Sequence, residues 1–131
     1  MGLLSKQDIL TAQDLEFREV DVPEWGGTVR VKALTGRERD AFEASMIRGD
    51  GKDRKTDFSN MRARLCGLCM VDDVGARVFD DNEIGMLGAK SSAALDRVFT
   101  VAQQLNGMSQ KDVEELAKNS AGDQAAVSLS A

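Results

Sequence analysis

Pro23-Glu24-Trp25-Gly26-Gly27-Thr28-Val29-Arg30-Val31-Lys32-Ala33-Leu34-Thr35-Gly36-Arg37-Glu38 carries the punctuation that decides the fold. Pro23 stops any strand before it, because its ring removes a backbone donor. Gly26 and Gly27 let the chain reverse. Thr28 to Ala33 then alternates, with Val29, Val31 and Ala33 on one face and Arg30 and Lys32 on the other. That is a strand with one buried and one wet face. Thr35-Gly36-Arg37-Glu38 is a full capping box, so a helix follows the strand almost at once.

On the N-terminal side, Leu15 to Val22 reads as the partner strand of a β-hairpin. Its apolar residues change parity: Leu15 and Phe17 share one face, Val20 and Val22 the other. A bulge, or a strand that begins late, produces that pattern. Ser5 and Asp8 form a capping box for a short helix over Lys6–Ala12.

On the C-terminal side, the helix opened by Thr35 is expected to run to about Arg48, with Phe42, Ser45 and Met46 pointing one way. Gly49 to Lys55 is a polar loop. A second major helix spans Ser59 to Met70, where Met61, Leu65, Leu68 and Cys69 form an apolar stripe. Val71 to Phe79 reads as a second small hairpin around Asp72-Asp73-Val74-Gly75. Asp81 to Leu87 is a short helix closed by Gly88. Ser91 or Ser92 caps the strongest helix, which ends near Asn106 with Gly107 beyond it. Leu95, Val98, Phe99, Ala102 and Leu105 make its stripe. Ser109 caps a last helix, with Val113, Leu116 and Ala117 inward and Glu114, Glu115 and Lys118 outward. The predicted architecture is α+β, an N-terminal β-hairpin packed on a bundle of about four to five α-helices. One domain is expected over residues 1–119, followed by a mobile polar tail over 120–131.

The chain has 131 residues and a net charge of -5, which opposes attraction to a phosphate backbone. Nucleic acid is therefore not an expected partner. No apolar run approaches the ~20 residues of a membrane-spanning helix. The first residues, Met1-Gly2-Leu3-Leu4-Ser5-Lys6, lack the basic and then apolar pattern of a secretory leader. The sequence contains no His and no Tyr. The commonest general acid/base and the commonest transition-metal ligand are both missing. No enzymatic activity, cofactor or metal is expected.

Cys66-Gly67-Leu68-Cys69 has the form of a redox pair, and a thiol oxidoreductase is the enzyme alternative. That chemistry needs the first thiol exposed at a helix N-terminus. Here the pair lies late in a helix, which reads as core. Two thiolates without His cannot close a tetrahedral zinc site. Asp72, Asp73, Asp80, Asp81 and Glu83 form an acidic cluster that a solvated turn and a helix N-terminus explain. Arg48, Lys52, Arg54 and Lys55 make a basic loop without the aromatics that a nucleic-acid platform uses. Trp25, the single Trp, is either a lid on the core or an interface anchor, since Trp dominates binding hot spots.

The run from Val22 to Val31, followed by Leu34-Thr35-Gly36-Arg37-Glu38-Arg39-Asp40-Ala41-Phe42-Glu43, resembles the tail assembly chaperones of long-tailed bacteriophages, especially those of Gram-positive hosts. Further likeness lies in Arg62-Ala63-Arg64-Leu65, in Lys90 to Phe99, and in Leu105-Asn106-Gly107-Met108-Ser109 leading into Val113-Glu114-Glu115-Leu116-Ala117. The resemblance implies a chaperone that binds the tape measure protein and helps recruit tail tube subunits, in many phages through a frameshifted longer form. It implies a host-cytoplasmic protein absent from the mature virion. It supplies no catalytic residues. The alternative is a structural head–tail connector or tail completion protein retained in the virion. Self-association is left open. A chaperone for amphipathic helices needs an apolar surface. The residues expected to meet the partner are Met61, Leu65, Leu68, Leu95, Val98 and Phe99, with Trp25 at the edge.

Overall fold

A computed structural model of the chain describes residues 2–49, 51–53 and 55–108. The predicted last helix and the polar tail lie outside these residues, as do Asp50 and Arg54 of the predicted polar loop. A short helix α1 (Lys6–Thr11) opens the chain, and both arms of the Ser5–Asp8 capping box are formed. Strand β1 (Phe17–Val22) begins after Leu15 and pairs in unbroken register; the parity change arises because Phe17 lies on its outer face, 52% exposed, while Val20 and Val22 face the core. It leads through a 3-10 turn (Pro23–Trp25), closed by Gly26 in the left-handed region, into β2 (Gly27–Lys32). The two strands pair antiparallel, from Phe17 opposite Lys32 to Val22 opposite Gly27. Helix α2 (Gly36–Ser45) follows its capping box. A two-residue ribbon of β3 (Ile47–Arg48) and β4 (Lys55–Thr56) comes next. Helix α3 (Met61–Cys69) runs straight into β5 (Met70–Val71), which joins the free edge of β2 to complete a sheet of order β1-β2-β5. A 3-10 turn (Asp81–Glu83) leads into α4 (Ile84–Gly88), and α5 (Ser92–Leu105) is capped by the Ser91 hydroxyl. The fold class is α+β, as the sequence predicts.

The core lies between the sheet and the helices. Val20 and Val22 of β1, Val29 and Val31 of β2 and Met70 of β5 face Leu65, Cys66 and Cys69 of α3 and Leu95, Val98, Phe99 and Ala102 of α5. Phe42 of α2 and Met46, which caps the end of that helix, are buried at 1% exposure each. α3 buries Ala63, Leu65, Cys66, Gly67 and Cys69, more than a stripe, so it is the central helix. Gly67 lets α4 pack close: a Cβ there would displace the tip of the Ile84 side chain. Asn106 fastens the end of α5 to the sheet. Its Oδ1 accepts from the Leu34 amide at 2.7 Å, and its Nδ2 donates to the Ala102 carbonyl at 2.8 Å.

Two expectations are corrected. The helix opened by Thr35 stops at Ser45 and does not reach Arg48. The Ser45 hydroxyl donates to the Phe42 carbonyl at 2.6 Å, and the Arg64 guanidinium donates to the Ser45 carbonyl at 2.6 Å. Both bonds consume acceptors that a further turn of helix would use, and Ser45 is exposed rather than directed inward. The outer face of β2 is also not uniformly wet. Lys32 is 9% exposed, because the start of α2 folds over it and brings the Glu38 carboxylate to its Nζ.

Candidate functional site

The second small hairpin shapes an apolar groove among the described residues. After Val71 the chain turns sharply. The Asp72 Oδ1 accepts from the amides of Val74 at 3.0 Å and Ala76 at 2.9 Å, and the Asp72 amide donates to the Ala76 carbonyl at 2.8 Å. Gly75, at φ 88°, supplies the left-handed residue that this turn requires. The turn diverts β5 after two residues, so it pairs only with Arg30 and Val31. Among the described residues, Gly27, Thr28 and Val29 have no strand on that side.

A groove of about 500 Å³ opens along this unpaired edge. Its apolar lining comes from Trp25, Val29, Met70, Val71, Phe79 and Leu87, with Val78 at the rim and 51% exposed. Glu19, Arg30, Asp72, Asp73 and Lys90 supply charges of both signs. Residues from both faces of the sheet contribute because the groove wraps round an edge. Arg30 spans its outer side, donating to Glu19 Oε2 at 3.3 Å and to the Asp73 carbonyl at 3.4 Å.

Trp25 is held in place from beside it. The Arg97 Nε of α5 donates to both carboxylate oxygens of Glu24, at 2.9 and 3.1 Å. That bond lowers the Glu24 pKa from its ordinary value. The indole is half-buried against the core, and its Nε1 is buried with no hydrogen-bond partner. Leaving such a donor unmade costs about 1–3 kcal/mol. Trp25 is thus both a lid on the core and part of an open apolar surface.

The seven residues expected to meet a partner do not gather in one place. Leu65, Leu95, Val98 and Phe99 are at most 5% exposed and belong to the core. Met61 and Leu68 are half-buried and line separate shallow clefts, Met61 beside Phe58 and Leu68 beside Phe42 and Ile84. Trp25 alone of the seven lines the groove. Sequence reasoning passed over Val78, Phe79 and Leu87. Their signal was weak: Phe79 and Val78 are adjacent and so break alternation, and Leu87 sits in a helix of only five residues.

Members of the acidic cluster hold three structural jobs. Asp72 closes the turn, and Asp80 caps the 3-10 turn before α4, accepting from the Asn82 amide at 2.9 Å. Asp81 pairs with Arg77 at 3.0 Å. Among the described residues, no three Cys, Asp or Glu side chains gather as metal ligands would. Cys66 and Cys69 are free thiols at 0% exposure on the last turns of α3. Burial pushes both up to about 12, the opposite of what a reactive thiolate needs. Both are expected to resist a maleimide at mildly alkaline pH in the native state and to react fully in denaturant. Rapid native labelling would contradict their placement.

The chain matches the family model of phage tail assembly chaperones over residues 5–119. It belongs to the phage tail assembly chaperones. The match covers the hairpin, every helix from α1 to α5 and the groove between them. No curated protein and no solved structure matches the chain. Membership implies partners among phage tail proteins, and an apolar groove rimmed by mixed charge is a surface that suits a protein chain. Among the described residues, no helix is long and apolar enough to cross a membrane.

Proposed function

We propose that this chaperone binds the tape measure protein in the host cytoplasm and helps recruit tail tube subunits, acting by binding and not by catalysis, and that it leaves before the virion is complete. The groove beside the unpaired edge of β2 is the observation that carries this reading. It offers what an amphipathic client segment needs: an apolar floor, an aromatic anchor at Trp25 and a polar rim. Leu65, Leu95, Val98 and Phe99 support this surface from the core. Met61 and Leu68 extend the apolar area on other faces.

The decisive measurement is the affinity of the purified chain for fragments of the tape measure protein of the same phage. Trp25→Ala is expected to weaken binding by roughly tenfold to a hundredfold, the range of hot-spot Trp truncations, while the far-ultraviolet circular dichroism stays unchanged. An unaltered affinity would remove the groove from the binding surface. Mass spectrometry of purified tails is expected to find no copies of the chain; stoichiometric copies would favour a connector or completion protein.

A further inference from the structure

The N-terminal arm is ordered by its own cap but buries none of its residues. Residues Lys6–Thr11 form a helix with a complete capping box, yet none of them is buried. Six residues are far too few for a helix to hold in water on propensity alone. Leu3, Leu4, Ile9 and Leu10 are all large, apolar and exposed. The arm leaves the body at Phe17, opposite Lys32, whereas the groove lies past the other end of β2, at Gly27–Val29. Among the described residues, none covers this apolar segment and none fills the apolar groove.

We propose that the arm of one copy, residues 2–11, seats in the β2-edge groove of a second copy. Three features select a second copy as the occupant. Both halves of the contact occur in the same chain, so every copy carries a donor and an acceptor. The arm's charges, Lys6 and Asp8, cancel. It can therefore approach a chain of net charge -5 without the repulsion that opposes close contact between whole bodies. The groove rim presents the Asp73 carboxylate to a lysine and the Lys90 ammonium to an aspartate, while Asp72 and Arg30 are engaged within their own chain. The contact is one-way, arm to groove, so it is heterologous rather than two-fold. The inference uses the same groove as the proposed function, but it is tested with no tail protein present, so either can fail alone.

Sedimentation equilibrium on the full chain tests it. The wild type is expected to self-associate. A double arm variant, Ile9→Asp with Leu10→Asp, and a groove variant, Val78→Asp, are each expected to weaken association by roughly a hundredfold. All three positions are exposed, so the fold survives; Thr28→Arg replaces Val78→Asp if that variant fails to fold. An equimolar mixture of the arm variant and the groove variant is expected to restore a one-to-one heterodimer and nothing larger, since one intact arm meets one intact groove. A wild type that stays monomeric, variants that associate as the wild type does, or a mixture that stays monomeric would each overturn the proposal.

Discussion

Phe99→Asp, or Leu65→Asp, is expected to leave the chain unfolded at ambient temperature. Phe99 is 5% exposed and Leu65 0%, and they face each other's helices across the core. An ionised carboxylate there would lie in a low-dielectric interior without a partner, at a cost of several kcal/mol. The cavity left by the lost ring or isobutyl group adds to it: truncation to Ala alone costs about 3–5 kcal/mol for a buried Phe and about 2–5 for a Leu. A domain of this size has only about 5–15 kcal/mol in hand. Circular dichroism and urea titration would read the loss. A variant that folds normally but fails to bind tail proteins would place these residues on the binding surface instead.

The next largest effect is expected at the ion pair under α2. Burial alone would raise the Glu38 pKa, but hydrogen bonds from the Lys32 ammonium and the Thr35 amide outweigh it and hold the group below its ordinary value of 4.5. Since the folded value lies below the unfolded one, the pair's contribution is present above about pH 4.5. It is lost as pH falls through the folded value. Lys32→Ala is expected to cost about 2 kcal/mol near neutrality, since it leaves a partly enclosed carboxylate without its charged donor. Urea titrations from neutral to acid pH should show the gap between wild type and variant narrowing in acid. A gap that stayed constant or widened would mean that Glu38 does not draw its stability from Lys32.

Against these expectations, the sequence was most legible where local chemistry is strong. The boxes at Ser5–Asp8 and Thr35–Glu38 fix two helix starts, because each satisfies backbone donors from within four residues. Ser91 and Gly107 bracket α5 for the same reason. The end of α2 was not legible. It depends on Arg64, which reaches Ser45 from another helix. The wet face of β2 was misread at Lys32 because alternation reports the strand's own pattern, not what later folds over it.

The candidate site followed the same division. An apolar stripe looks alike in sequence whether it faces a core or a partner, and α3 and α5 carry such stripes. Packing assigned both to the interior, leaving Leu65, Leu95, Val98 and Phe99 without surface to offer. The groove, by contrast, is made by an interruption. Asp72 and Gly75 turn β5 away after two residues, and the unpaired edge of β2, Trp25 and Phe79 are left round the gap.

By itself, the sequence determined the α+β class, the order of the first hairpin and the main helices, the absence of His-based chemistry and the family, since composition, capping and a characteristic run are properties of short stretches. Only the tertiary structure decided which apolar residues are core and which are surface, that the Cys pair is sealed rather than reactive, and that an apolar groove and an uncovered arm coexist in one chain. Each of those depends on contacts between residues far apart in sequence, which no local pattern encodes.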